Sequence, residues 1–335
     1  MVGIYTFFGL LYKPNIHKTG FVGGKCFVYL IMITLNQIKD IISNNKLSAG
    51  GISKPLLEKK YIQQFEKWLN RGYCADMEWL KRTKNDRIDI RNKFPWVKSV
   101  LVVLDNYFND PILTQSEIKI TRYAMGWDYH DVVEEKLRAV LAEIRKIDQN
   151  IEGKIFVDSG PVMEKAYAEQ AGLGWIGKNG VFIGEGIGSY CFIGILLLSI
   201  DVQRSYKTAN KCDSCTLCIK RCPNGAIIEP GMIDSCRCTA YLTIEKRGDF
   251  SDTEKIRLNK WAYGCDICQE VCPWNHKWSK LTLESRYHDR KNQIRSYIDL
   301  GSPRNMDKFN LVFKNTAIER LTCKRMQRNI DAALQ

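Results

Sequence analysis

The chain has 335 residues, 45% of them hydrophobic and 26% charged, with 50 Lys and Arg against 37 Asp and Glu for a formal net charge of +13. These proportions exclude a disordered chain, and the length accommodates two domains or one large domain with a module attached. The most apolar run, Cys26 to Leu35, is about half a bilayer span, and Met1 to Leu11 lacks the basic start of a signal peptide, so a cytoplasmic protein without a membrane segment is expected.

Met32 precedes the first helix pattern and is a candidate start, so residues 1–31 read as an extension. Asn36 to Asn44 places Ile38, Ile41 and Ile42 on one helical face, and Leu47 to Ile52, with its Gly-Gly pair, reads as a turn-rich link. Pro55 to Arg71 returns to helical spacing and stops at Gly72. Lys98 to Leu104 is a β-branched run of the kind that forms a buried strand. Asp131 to Ile147 carries Val133, Leu137, Val140 and Ile144 on one stripe. Gly153 to Val157 and Cys191 to Ile200 read as further strands. Strands alternating with helices predict an α/β sheet covered by helices.

Three polar-aromatic stretches between these elements exceed what core packing requires: Arg122 to His130, Val157 to Pro161, and Ala171 to Asn179. Four glycines, Gly172, Gly174, Gly177 and Gly180, surround Trp175 and would let backbone approach a large flat ligand, although a tight turn has the same composition. Gly172, Gly174 and Gly177 spell G-x-G-x-x-G but follow a helical run, Met163 to Gln170, so a dinucleotide site is not supported. Asp158 ends a strand before Ser-Gly-Pro and would stand at the carboxyl edge of the sheet. It is either a catalytic acid or an Asx turn. His130, beside Tyr129, is the one histidine of this half, and a structural role is its plain reading.

The cysteines carry the strongest signal. Cys212-x2-Cys215-x2-Cys218-x3-Cys222-Pro223 has the bacterial ferredoxin spacing, and Cys265-x2-Cys268-x3-Cys272-Pro273 follows. Two 4Fe-4S clusters are therefore expected. Because the cysteine before proline reaches the other cluster, one cluster takes Cys212, Cys215, Cys218 and Cys272. The second takes Cys222, Cys265, Cys268 and either Cys236 or Cys238. Zinc sites favour paired C-x2-C knuckles, and disulfides belong to secreted chains, so neither fits this run. After the second run, residues 274–335 hold 13 Lys or Arg against 6 Asp or Glu. That excess suggests a polyanion surface, most simply nucleic acid, with Lys308, Lys314, Arg320, Lys324, Arg325 and Arg328 as a phosphate track; a solubilising tail is the plain alternative.

Taken together, the three stretches and the cysteine runs resemble the epoxyqueuosine reductase family. Cys238-Thr-Ala-Tyr-Leu-Thr-Ile-Glu245, Tyr263 to Cys268, Val271 to Asn275 and Arg328-Asn329 reinforce the resemblance, which spans residues 35–335. It implies a corrinoid-binding α/β core like that of reductive dehalogenases, then a ferredoxin-like two-cluster module and a helical basic tail. The corresponding boundaries are 32–205 for the cobalamin-binding catalytic domain, 206–280 for the cluster domain and 281–335 for the tRNA-contacting tail.

The implied activity is reduction of the epoxide of epoxyqueuosine at the tRNA wobble position to queuosine, the last step of its biosynthesis, with cobalamin and two 4Fe-4S clusters. Asp158 falls on the family's proton donor, whose pKa burial would need to raise. The resemblance selects Cys238 as the eighth ligand, leaving Cys236 a bystander. Cobalamin contacts are expected from Tyr129, His130, Gly172, Gly174, Trp175, Gly177, Lys178 and Asn179. A low-potential electron donor and a monomeric state are also expected. A reductive dehalogenase shares the cofactors but usually carries a twin-arginine signal, and none is visible; an electron carrier leaves the chain before Cys212 unexplained.

Overall fold

The computed structural model describes residues 19–22, 25–28, 33–300 and 305–335, so Met32 and most of the expected extension lie outside the described residues. The core is a four-stranded sheet: β1 (Ala49–Ser53), β2 (Ser99–Asn106), β3 (Gly153–Phe156) and β4 (Cys191–Leu198). Their order is β1-β2-β4-β3, and each neighbouring pair is antiparallel. The carboxyl edge of the sheet expected at Asp158 is not common to the strands, because neighbouring strands run in opposite directions. Asp158 nonetheless emerges where β2 ends and β4 begins, because β3 runs alongside β4 in the opposite direction, with Phe156 opposite Ile195.

Both faces of the sheet are covered. Val100, Val102 and Leu104 of β2 point into one core with Ile195 and Leu197 of β4. Leu101 and Val103 point into the other, against α1 (Leu35–Asn44) and α3 (Tyr129–Ile147). A period of two on a doubly buried strand gives the unbroken Val-Leu-Val-Val-Leu run in the sequence. Thr34 caps α1 in a capping box with Gln37. Asp128 caps α3, accepting from the His130 N–H at 3.0 Å.

Two expectations change. The Leu47 to Ile52 link is the edge strand β1. Its glycines permit close packing instead of a turn: a Cβ on Gly51 would lie 2.6 Å from the Ala171 carbonyl oxygen. Helix α2 (Lys59–Asn70) begins at Lys59 instead of Pro55. The buried Gln170, at the end of α4 (Glu164–Gln170), holds the intervening strap extended; its Nε2 donates to Ser53 Oγ, Lys54 O and Leu56 O, and its Oε1 accepts from Glu58 N–H.

The cysteine-bearing segment and the tail close around the sheet's far end. Trp261–Tyr263 pairs in parallel with Lys119–Ile120. The tail is helical over Lys291–Asp299, Met306–Phe313 and α5 (Cys323–Ala333). It forms a third core with Ile120, Met125 and Tyr263. Buried Asn329 donates to Thr243 O and Ala262 O, both at 2.8 Å, stapling α5 to the cysteine segment. The Arg122 to His130 stretch is gripped from the tail: Trp127 N–H donates to Arg286 O at 2.7 Å, and a Cβ on Gly126 would lie 1.9 Å from that oxygen. Gly126→Ala should therefore cost about 1–3 kcal/mol or more, read as a fall in the denaturation midpoint.

Candidate active site

Asp158 stands just past β3 with φ +50, a left-handed conformation that side chains other than glycine adopt at a cost. Two bonds hold it there. Its N–H donates to Glu164 Oε1 at 2.6 Å, and the Tyr129 hydroxyl donates to its Oδ2 at 2.7 Å. Tyr129 is fixed in turn by stacking on Phe192 of β4, 4.3 Å between centroids and 3° between planes. His130 lies in a joint between α3 and the tail. Its Nδ1 is 2.7 Å from Asp128 Oδ1, while Arg320 Nη2 donates to Asp128 Oδ2 at 2.6 Å. Burial would raise the Asp128 carboxyl, but the bonds from His130 and the charge of Arg320 outweigh it and hold that carboxyl low.

These groups open onto a cavity of about 910 Å³. Trp79, Arg82, Tyr123, Tyr129, His130 and Asp158 line it from the sheet domain. Glu245 and Tyr263 come from the cysteine segment, and Arg320 and Arg325 from the tail, so all three segments that the sequence separates build its walls. A volume near the top of the range for small-molecule sites, walled by aromatic rings and a few polar groups, suits a large macrocycle. Asp158 itself is exposed to the cavity, and the burial expected of it is found in its neighbours. Burial, reinforced by the charge of Asp158, pushes the Glu164 carboxyl well above its ordinary value and raises that of Glu245. Burial likewise raises the phenols of Tyr123 and Tyr129, keeping them neutral donors.

The cysteines assemble into two groups across the chain. Burial raises the Cys218 thiol, and the next influences on it include Cys212, Cys272 and Cys215; Cys272, also raised by burial, feels Cys212 and Cys215. Burial pushes Cys265 up to about 12, with Cys238 and Cys222 adding to it, and Cys268 well up, with Cys265 and Cys238 beside it. Cys236 is exposed, and the charges acting on it are Asp234, Asp76, Glu254 and Lys246. Neighbouring thiols of which Cys218, Cys238, Cys265, Cys268 and Cys272 are raised by burial fit a site that deprotonates its ligands and neutralises them with iron. Among the described residues no three His, Cys, Asp or Glu converge tightly enough for a single metal ion.

The Gly172 to Asn179 loop does not line the cavity. Trp175 is fully buried in a cluster with Ile183 and Cys272, packed by Cys212, Trp274 and Trp278. Lys178 Nζ donates to Asp213 O and Cys215 O, and Asn179 Nδ2 to Cys268 O at 3.3 Å. Of the expected corrinoid contacts, Gly172, Gly174, Trp175, Gly177, Lys178 and Asn179 thus stand apart from this cavity, with Trp175, Lys178 and Asn179 packed or bonded against the cysteine segment. The glycines allow close approach to protein backbone instead of a ligand.

Arg325 and Arg328 leave the expected phosphate track for a related reason. Arg325 Nη2 donates to Ile244 O and Lys246 O, capping the helix Thr239–Ile244. Arg328 donates to Gly248 O and lies 4.0 Å over the Phe250 ring; burial lowers its pKa to about 10. Lys308, Lys314 and Lys324 remain exposed. Glu164 was missed. Its signal was an acid at the first position of a helix that begins six residues after Asp158.

Cys238→Ser should halve the iron content from about eight to about four atoms per chain, whereas Cys236→Ser should leave it unchanged, as iron and sulfide analysis would register. The raised pKa of Glu164 means the folded state holds its proton more tightly than the unfolded state, whose value is near 4.5. Its contribution to stability is full below that value and is lost as pH rises. Glu164→Gln keeps the acceptor for the Asp158 N–H, so its denaturation midpoint should fall less than that of the unmodified protein between about pH 5 and pH 8.

Comparison with known proteins agrees with this layout. The family model for epoxyqueuosine reductase QueG matches residues 87–159, and a model for a 4Fe-4S double cluster binding domain matches residues 211–275. Epoxyqueuosine reductase of Leadbetterella byssophila is 37% identical over 281 residues, 84% of this chain and 91% of that one. The Prochlorococcus marinus protein is 38% identical over 308 residues, 88% of this chain and 96% of its own. An epoxyqueuosine reductase solved with an epoxyqueuosine-modified tRNA-Tyr stem loop has the same fold, with TM-score 0.77 at 23% identity, covering 89% of this chain and 80% of that one. So does the Bacillus subtilis enzyme, solved with an aspartate catalytic loop swung out of its active site, with TM-score 0.76 at 24% identity over 88% and 80%. The extent of the sequence identity, across sheet domain and cysteine segment alike, means that the chain belongs to the epoxyqueuosine reductase family.

Proposed function

We propose that this protein reduces the epoxide of epoxyqueuosine at the wobble position of tRNA to the alkene of queuosine, with cobalamin in the cavity and two 4Fe-4S clusters on the gathered cysteines. Cluster one is held by Cys212, Cys215, Cys218 and Cys272, and cluster two by Cys222, Cys238, Cys265 and Cys268. The observation that carries the reading is the convergence of Asp158, the Tyr129 hydroxyl and the cluster-two segment at Glu245 and Tyr263 on one cavity.

When bound, the corrinoid and the clusters supply the low-potential electrons that open the epoxide. The chain's own residues do the rest. Ring opening leaves an alkoxide that must gain a proton as it forms. Asp158, facing the cavity, is the donor. Tyr129, neutral through burial, anchors the Asp158 Oδ2 oxygen, while Glu164 fixes its backbone, so the proton-bearing oxygen keeps one direction. The Bacillus subtilis enzyme has a catalytic aspartate on a loop, and Asp158 likewise occupies a turn. Removal of the epoxide oxygen as water consumes two electrons and two protons.

An anticodon nucleotide splayed from its stack fits an opening walled by Trp79, Tyr123 and Tyr129, where bases stack on aromatic rings. Arg82 and Arg320 at the wall, with exposed Lys308, Lys314 and Lys324 on the tail, offer the phosphate contacts. Among the described residues no helix is long and apolar enough to cross a membrane. A tRNA substrate supports work in the cytoplasm, and a monomer fed by a low-potential donor completes the reading.

The test is anaerobic turnover of epoxyqueuosine-containing tRNA, followed by mass spectrometry of the digested nucleosides. Queuosine should form with cobalamin and not without it. Asp158→Asn should retain clusters and cobalamin yet lose about 10²-fold or more in rate; a near-normal rate would remove Asp158 from the mechanism.

A further inference from the structure

Basic residues also gather away from the substrate cavity, around the Cys212 to Cys222 run that the proposed function assigns to cluster one. Between Lys207 and Asn224 the sequence places Lys207, Lys211, Lys220 and Arg221 against Asp213 alone. Lys207 pairs with Glu58 and Lys211 with Glu185, while Lys220 and Arg221 are exposed, as is Lys277, which lies over the Trp274 and Trp278 rings that pack beside Cys212 and Cys272. In their midst Leu217 is 46% exposed at the start of the helix Leu217–Arg221, which carries the cluster ligand Cys218. None of these residues lines the 910 Å³ cavity.

The two clusters differ in their surroundings. Cluster two lies among buried Tyr241, Leu242, Tyr263 and Asp266, and its segment reaches the cavity through Tyr263 and Glu245. Cluster one is bordered by exposed Asp213, Ser214, Leu217 and Lys220. Electrons entering from solvent meet cluster one first. A small exposed apolar centre within a basic rim, directly over a redox centre, is the form of a transient electron-transfer contact, where complementary charge governs encounter rate and orientation.

We infer that the surface around Leu217, Lys220, Arg221 and Lys277 is the docking site for an acidic one-electron carrier protein that reduces cluster one. The inference rests on the two-cluster reading above. Each encounter moves one electron from the reduced iron-sulfur or flavin centre of the carrier to cluster one, leaving the carrier oxidised by one electron. Two encounters supply the two electrons that removal of one epoxide oxygen consumes. A nucleic acid is the competing occupant, but phosphate recognition gives Leu217 no role, whereas a protein surface covers it.

The experiment uses the cluster-loaded, full-length protein and a reduced plant-type 2Fe-2S ferredoxin, a strongly acidic carrier. Stopped-flow absorbance follows cluster reduction, and calorimetry follows binding of the oxidised ferredoxin. Lys220→Glu with Arg221→Glu should lower the second-order reduction rate about tenfold or more at low salt and weaken ferredoxin binding in step. The rate of the unmodified protein should fall steeply as salt rises. Reduction by dithionite and the affinity for tRNA should stay unchanged.

Should that variant lose iron, Lys277→Glu with Leu217→Ala replaces it with the same expectation. Equal ferredoxin rates and affinities in variant and parent, both with full clusters, would overturn the inference, as would a loss of tRNA affinity in place of ferredoxin affinity. Absence of clusters from the unmodified protein would instead overturn the two-cluster reading on which it stands.

Discussion

A buried ion pair sets the relation between the two halves of this protein. The Asp266 carboxylate, fully enclosed between Cys265 and Cys268, accepts from the Thr121 hydroxyl at 2.5 Å, the Arg122 N–H at 2.9 Å and Arg122 Nη1 at 3.2 Å. Arg122 also reaches Glu270 at 2.7 Å and lies beside the Tyr190 ring. Burial raises the Asp266 carboxyl, and the three bonds oppose that shift. Such a pair adds little net stability over an apolar substitute, but removing one partner strands the other without solvent. Its effect is registry: it ties the backbone that leads to Tyr129 directly to the backbone that carries Cys265 and Cys268.

A second network repeats the arrangement at the start of β4. Asn275 and Gln269, from the cluster segment, bind Ser189 through its N–H and hydroxyl in a fully satisfied buried set. The tail adds Asn329, and Arg320 locks Asp128 at the cap of α3. Electron transfer across protein needs fixed donor and acceptor positions, and proton transfer needs an acid held to one direction. Polar networks that are satisfied in only one arrangement provide both. The Asp158 turn is the exception, held in a left-handed conformation by two bonds, one to a buried acid and one to a buried phenol.

Much of this was legible in the sequence, for reasons that differ from residue to residue. Cysteine spacing is local, so the double-cluster segment, matched over residues 211–275, could be read from intervals of two and three residues, while spacing left the choice between Cys236 and Cys238 open. The long buried strands announced themselves through unbroken apolar runs. Direction was not legible, since hydrophobic periodicity is identical in parallel and antiparallel sheets, and the sheet is antiparallel throughout. Strand β1 was hidden because Gly50 and Gly51 read as a turn, while the backbone there needs glycine to pack flush on Ile42 and Ala171. The Gly172 to Asn179 loop misled in the same way: its glycines permit a close approach, and the sequence does not say to what. Arg325 and Arg328 count as surface charge in a composition, while in the fold Arg325 donates to the last carbonyl of the helix Thr239–Ile244 and Arg328 to carbonyls of the loop that follows it.

The central claim is that electrons stored on two clusters reach a substrate epoxide in a cavity where Asp158 delivers the proton. The most direct measurement is an anaerobic single turnover. Both clusters are reduced, excess reductant is removed, and cobalamin-loaded protein is mixed with epoxyqueuosine-containing tRNA while cluster spectra and nucleosides are followed together. The account predicts about one queuosine per chain, formed as both clusters become oxidised, because two one-electron centres match the two electrons the reaction consumes. Clusters that stay reduced, with cobalamin bound and no queuosine formed, would contradict it.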